Sequence, residues 1–150
     1  MPRVLIAADE SDVSLEAAAV AHRLFGDDAE YWMINVGAAV GGPELLWGYP
    51  YTVTMPITTF PPVISAHEQE LAVEHSQQRA AQIAEQTGLP AAPLGDTGDP
   101  AVAIIEAAQM HNADVIVVGS HQRSWLARLF GGSVSSAVVR QAEIPVLVVK

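Results

Sequence analysis

Short unbroken apolar runs alternate along this chain with stretches whose apolar residues return at helical spacing. Val4 to Ala8 is the first run, and its lack of polar alternation predicts a strand covered on both faces. Ser11 then stands where a helix N-cap would be, with Ser14 at the third helical position. Val13, Ala17, Val20, Ala21 and Leu24 supply the apolar stripe of that helix, and Gly26 ends it before a second strand over Tyr31 to Val36. Val63 to Thr87 is free of proline and rich in Gln, Glu and Ala, which predicts a long helix closed by Gly88. Leu89 to Leu94 reads as a weak strand carrying Pro90 and Pro93, and proline is tolerated best at a sheet edge. Asp99-Pro100 is a cap followed by proline at the first helical position, with Ala103, Ile104, Ala107 and Ala108 as the buried face. The spacing predicts a further strand at 114–119, a last helix over Ser133 to Gln141, and a final strand at 144–149 opened by Pro145. With strands also at 3–8 and 30–36, the order predicts one parallel α/β sheet in a single domain spanning residues 1–150.

One region breaks the alternation. Gly37 to Pro62 holds five prolines, four glycines and the aromatics Trp47, Tyr49, Tyr51 and Phe60. Connections beyond about 12–15 residues commonly serve as binding loops, lids or flexible insertions. Its aromatics predict burial against this domain, a partner or a ligand, and Val53 to Ile57 could add a short strand.

Charge narrows the function classes. The net charge is −10, which disfavours a nucleic-acid or anionic-membrane surface. The acids are nevertheless unevenly placed: Met1 to Ser120 holds 16 acidic and 3 basic residues, whereas His121 to Lys150 holds 1 acidic and 4 basic. A locally basic segment within an acidic chain is where an anion would be tolerated; the lesser alternative is that Arg123 and Arg128 are solvated loop and helix charges. With no cysteine, disulfides and thiolate chemistry are excluded, and a cytoplasmic setting is expected. No apolar window approaches the ~18 residues of a membrane span.

Candidate chemistry gathers at strand ends. Gly119 closes a strand, and Gly131-Gly132-Ser133 opens a helix, an arrangement suited to holding phosphate on backbone N–H groups. Asp9 follows the first strand and could hold a ribose or base edge beside it, or act only as a partner of the helix dipole. A P-loop is excluded, because the sole lysine is Lys150. The chain has no GxSxG or HExxH, and nothing arranges its serines, histidines and acids as a triad, so no catalytic residue is assigned and an enzymatic role is not expected. His67, Glu70, Glu74 and His75 share one helical stretch without a recognised metal-ligand spacing and read as solvent-facing residues.

Taken together, Val4 to Ser11, Gly98-Asp99-Pro100, Ala113 to His121, Arg123, Gly132 to Ser135 and Ile144 to Val149 resemble the universal stress protein family over essentially the full chain. The resemblance implies an open five-stranded Rossmann-like sheet of order 3-2-1-4-5, and a homodimer paired through the strand at 144–149. It also implies ATP, with Mg²⁺ on its phosphates, as ligand of a stress-response regulator. On that basis Asp9 and the Val36 backbone would hold the adenosine with Ala8 beside them. Gly119, Gln122, Gly132, Ser133, Val134 and Ser135 would surround the ribose and phosphates, and Arg123 would face phosphate or solvent. The nucleotide-binding branch of the family has a second glycine where this chain has Gln122, followed by the same nine-residue interval to Gly132-Ser133. A side chain there either donates to phosphate or crowds it, and crowding would leave a nucleotide-free interaction module. In either case Gly37 to Pro62 is a candidate surface for a protein partner.

Overall fold

The computed structural model describes residues 1–38, 65–120 and 134–150. They form five strands and four helices: β1 Arg3–Ala7, α1 Asp12–Phe25, β2 Glu30–Gly37, α2 Ala66–Thr87, β3 Ala91–Thr97, α3 Pro100–Met110, β4 Val115–Gly119, α4 Val134–Gln141 and β5 Val146–Val149. All pairings are parallel, and the sheet runs β3-β2-β1-β4-β5, the expected order. The proposed strand at Val53 to Ile57 and the aromatic segment from Ala39 onward lie outside the described residues.

Caps set the helix ends. Ser11 accepts from the Ser14 amide at the start of α1, and Gly26 closes that helix at φ 71°. At α2 the cap is Ser65, in a reciprocal box with Glu68: Ser65 Oγ accepts from the Glu68 amide, and the Glu68 carboxylate accepts from Ser65 N–H. The carboxylate also accepts from Ser65 Oγ, and the bonds it receives, from the Ser65 amide first and the hydroxyl second, hold the Glu68 carboxyl below its ordinary range. Gly88 ends α2 in the left-handed conformation, at φ 66°. Asp99 caps α3 by accepting from Ala101 and Val102, and Pro100 occupies the first turn.

The sheet is covered on both faces, which is why its inner strands read as unbroken apolar runs. Val4, Ile6, Tyr31, Met33, Val115 and Val117 pack beneath α1 and α2, against Ala17, Ala18, Ala21, Ala80 and Ile83. Leu5, Ile34, Val36, Ile116 and Val118 face the other way, onto Ala101, Ile104 and Ala108 of α3 and Val138 of α4. Leu5, Ile6 and Val117 are fully buried, and each such side chain contributes about 1.5–3 kcal/mol.

Several boundaries and one helix face differ from expectation. β1 stops at Ala7 rather than 8, and α2 starts at Ala66, after the Ser65 cap, rather than at Val63. β4 starts at Val115 rather than 114, and β5 starts at Val146, after Pro145, rather than at 144. β3 is indeed an edge strand but spans Ala91–Thr97 rather than 89–94. It continues through Gly95 because α2 lies directly on that glycine: a Cβ there would stand 2.3 Å from Gln77 N and 2.4 Å from Val73 O. β2 likewise takes in Gly37, paired with Thr97, so the irregular region begins one residue later than its composition suggested. In α1 the buried face is Ser14, Ala17, Ala18 and Ala21, while Leu24 is 58 % exposed.

Candidate functional site

Strand order reverses between β1 and β4, the point in an open parallel sheet where the loops diverge and leave a crevice at the carboxyl ends. β1 and β4 are paired through Ala7 and Val118. Ala8 and Asp9 therefore leave the sheet beside Gly119, and the two residues that sequence pattern placed at strand ends do adjoin. Val36 closes the group from β2, two residues beyond the Ala7–Ile34 pair. Ala8 and Val36 are buried, and Asp9 and Gly119 are half-buried. On the far side of Gly119, α4 begins with Val134, half-buried, and Ser135, buried. Gln122, Arg123, Gly132 and Ser133 lie outside the described residues.

Asp9 is organised by the start of α1. Its Oδ1 accepts from the Ser11 amide at 2.9 Å, from Ser14 Oγ at 2.7 Å and from Ser11 Oγ, while Ser14 Oγ accepts from the Asp9 amide at 3.0 Å. The helix-dipole role considered for this acid is thus real. The bonds all converge on Oδ1, and among the described residues none is recorded to Oδ2. Glu10 reaches from the same turn to Arg79 of α2 at 3.7 Å, an exposed pair of small energetic weight.

Gly119 has a structural reason of its own. A Cβ added there would lie 2.8 Å from Val13 Cγ1 and 3.2 Å from Val13 O, so the bare backbone is what lets the first turn of α1 sit against the end of β4. The same closeness brings the β4 terminus and the α1 N-terminus to one side of the crevice.

One residue of this region escaped sequence reasoning. Asn35 is a buried carboxamide within the apolar run of β2, 6 % exposed, and its Nδ2 donates to Ala8 O at 2.9 Å. Its Oδ1 is buried and has no hydrogen-bond partner among the described residues. The available signal was a single polar residue between Ile34 and Val36, where a doubly covered strand has no need of one. Elsewhere, His67, Glu70, Glu74 and His75 are all exposed on α2. Among the described residues no helix is long and apolar enough to cross a membrane.

Comparison with known proteins agrees with this architecture. A universal stress protein of Methanocaldococcus jannaschii is 34 % identical over 156 residues, covering 99 % of this chain and 81 % of that protein. A universal stress protein of Bacillus subtilis is 30 % identical over 150 residues, covering 99 % of this chain and 98 % of its own. Among solved structures, a universal stress protein in complex with cAMP superimposes with a TM-score of 0.58 at 23 % identity, over 99 % of this chain and 95 % of that one. An Arabidopsis thaliana family member with AMP bound has a TM-score of 0.55 at 18 % identity, over 100 % of this chain and 92 % of that one. The family model for universal stress proteins matches residues 51–150. By sequence match and by sheet order, the chain belongs to the universal stress protein family.

Proposed function

We propose that this chain binds an adenine nucleotide, ATP with Mg²⁺ on its phosphates, and acts as a dimeric, nucleotide-responsive regulator in a cytoplasmic stress response. The observation that carries the reading is the convergence of Ala8, Asp9, Val36 and Gly119 on one crevice at the strand reversal. The relatives solved with cAMP and AMP support an adenine nucleotide as the class of ligand. In this reading Asp9 Oδ2 accepts from a ribose hydroxyl, because Oδ1 is already engaged. The Val36 main chain meets the base edge, with Ala8 beside it. Gly119, Gln122, Arg123, Gly132 and Ser133, with the α4 start at Val134 and Ser135, surround the phosphates through backbone N–H groups, hydroxyls and the helix dipole. No residue of this set is a general base for hydrolysis, so turnover is slow or absent.

Dimerisation through β5 is supported by its edge position and by Val146, Leu147 and Val148, each only partly buried. The segment Gly37 to Pro62, with its aromatic residues, is the surface on which nucleotide state is passed to a partner. Hydrogen exchange in that segment changes on saturation with ATP; an identical pattern with and without nucleotide sinks the regulatory part of the reading.

A second reading, a nucleotide-free interaction module, is favoured by one observation. Asp9 and Gly119 are each accounted for by local structure, through the α1 start and the Val13 contact, and Gln122 stands where the nucleotide-binding branch has glycine. Mass spectrometry of gently purified protein, followed by calorimetric titration of ATP with Mg²⁺, separates the two. Copurified nucleotide or micromolar binding supports the first, and a folded dimer with neither supports the second. Gln122→Gly refines the answer: a large gain in affinity shows that the glutamine obstructs the phosphates, and no change shows that they accommodate it.

A further inference from the structure

The ladder between β1 and β2 ends in an exchange of donors. Its register runs through Ala7–Ile34, and the Ala8 amide still donates to Ile34 O at 2.9 Å. In a regular parallel ladder the next bond runs back from the Val36 amide to Ala8 O. Ala8 O instead accepts from Asn35 Nδ2 at 2.9 Å, and among the described residues no backbone bond joins Val36 to Ala8. A side chain has replaced the main chain as the donor, one residue short of the crevice.

The replacement has a cost that fold stability alone does not explain. Satisfying Ala8 O through Asn35 leaves Asn35 Oδ1 buried with no partner among the described residues. Closing the ladder with Val36 N–H and placing an apolar residue at 35 would satisfy the same carbonyl with no buried carboxamide. The geometry points to Asn35 as a positioning residue: by capping Ala8 O it holds the Val36 N–H out of the ladder, as a donor facing the crevice for the hydrogen-bonding edge of a bound base. This rests on the nucleotide reading for the identity of the ligand, but the release of Val36 N–H is a property of the unliganded chain.

The test is amide hydrogen exchange, resolved at Val36 by NMR, on the full chain with and without ATP and Mg²⁺. In the unliganded wild type the Val36 amide exchanges far faster than that of Ile34, and ATP slows it. In Asn35→Leu the Val36 amide closes onto Ala8 O and is protected by about tenfold or more without nucleotide, while ATP affinity falls by about tenfold, the scale of one lost hydrogen bond. Asn35→Ala gives the same protection pattern should the larger side chain disturb folding. A Val36 amide as protected as Ile34 in the unliganded wild type, or unchanged in both variants, overturns the assignment. If the Val36 pattern appears as described but ATP neither binds nor slows exchange, Asn35's positioning of that amide stands and the nucleotide reading fails.

Discussion

Gly95 offers the sharpest test of how α2 is seated. A Cβ at this position would lie 2.3 Å from Gln77 N, 2.4 Å from Val73 O and 2.8 Å from Gln77 Cα. All three atoms belong to the α2 backbone, so no rotamer change relieves the clash. To restore ordinary contact the helix must retreat by roughly 1 Å, which loosens dispersion contacts along its buried face. That face includes Ala80, Ile83 and Ala84, none more than 6 % exposed. Overpacking of this kind costs about 3 kcal/mol. Gly88→Ala is the control: the same atom is added at φ 66° with nothing within 4 Å, so only the left-handed conformation is penalised, at about 1 kcal/mol. Urea unfolding of the two variants and wild type, followed by circular dichroism, should show a midpoint shift about three times larger for Gly95→Ala with unchanged slopes. Equal losses, or a Gly95→Ala cost below about 1 kcal/mol, would refute the direct seating of α2 on β3.

Asp99→Ala removes the acceptor for two first-turn amides of α3 and should destabilise the protein by about 1 kcal/mol, read by the same urea titration. Asp114 makes a pH prediction. The Arg3 amide, donating at 2.7 Å, and then the Arg3 guanidinium hold its carboxyl below the ordinary 3.8. A depressed folded-state value means that the carboxylate's contribution is complete above the ordinary value and disappears as pH falls through the lower one. The deficit of Asp114→Asn relative to wild type should therefore be full at neutral pH and shrink below about pH 4; a deficit independent of pH would contradict this.

Much of the fold was legible because strong local signals agreed with the tertiary arrangement. Ser11, Gly26, Gly88 and Asp99-Pro100 punctuate the helices where their chemistry predicts, and the unbroken runs of β1 and β4 announce a sheet covered twice. The misjudged elements depend on neighbours distant in sequence. β3 extends through Gly95 because α2 needs a bare backbone there, and that residue reads locally only as a strand breaker. Leu24 fits the helical spacing yet faces solvent, because the α1 interface is built from alanines that let the helix approach the sheet closely. Beside the strand reversal, the nearness of Asp9 to Gly119 was legible from their place at strand ends. Asn35 was not, because its meaning lies in which donor reaches Ala8 O, a matter of one ladder step that composition does not carry.

The pairing of β1 with β4 also bears on when the crevice exists. Arg3 and Asp114, which tie the amino ends of these strands together, are 111 residues apart, whereas β1 and β2 are joined through α1 alone. Closing a loop that long is slow relative to forming β1-α1-β2, so the wall contributed by β4 arrives late. A nascent or truncated chain ending before Val115 can hold Asp9 and Val36 but has no facing wall. Any ligand that needs both walls is therefore linked to the arrival of β4 in the sheet, and its binding reports that the chain has been made and folded at least through Gly119.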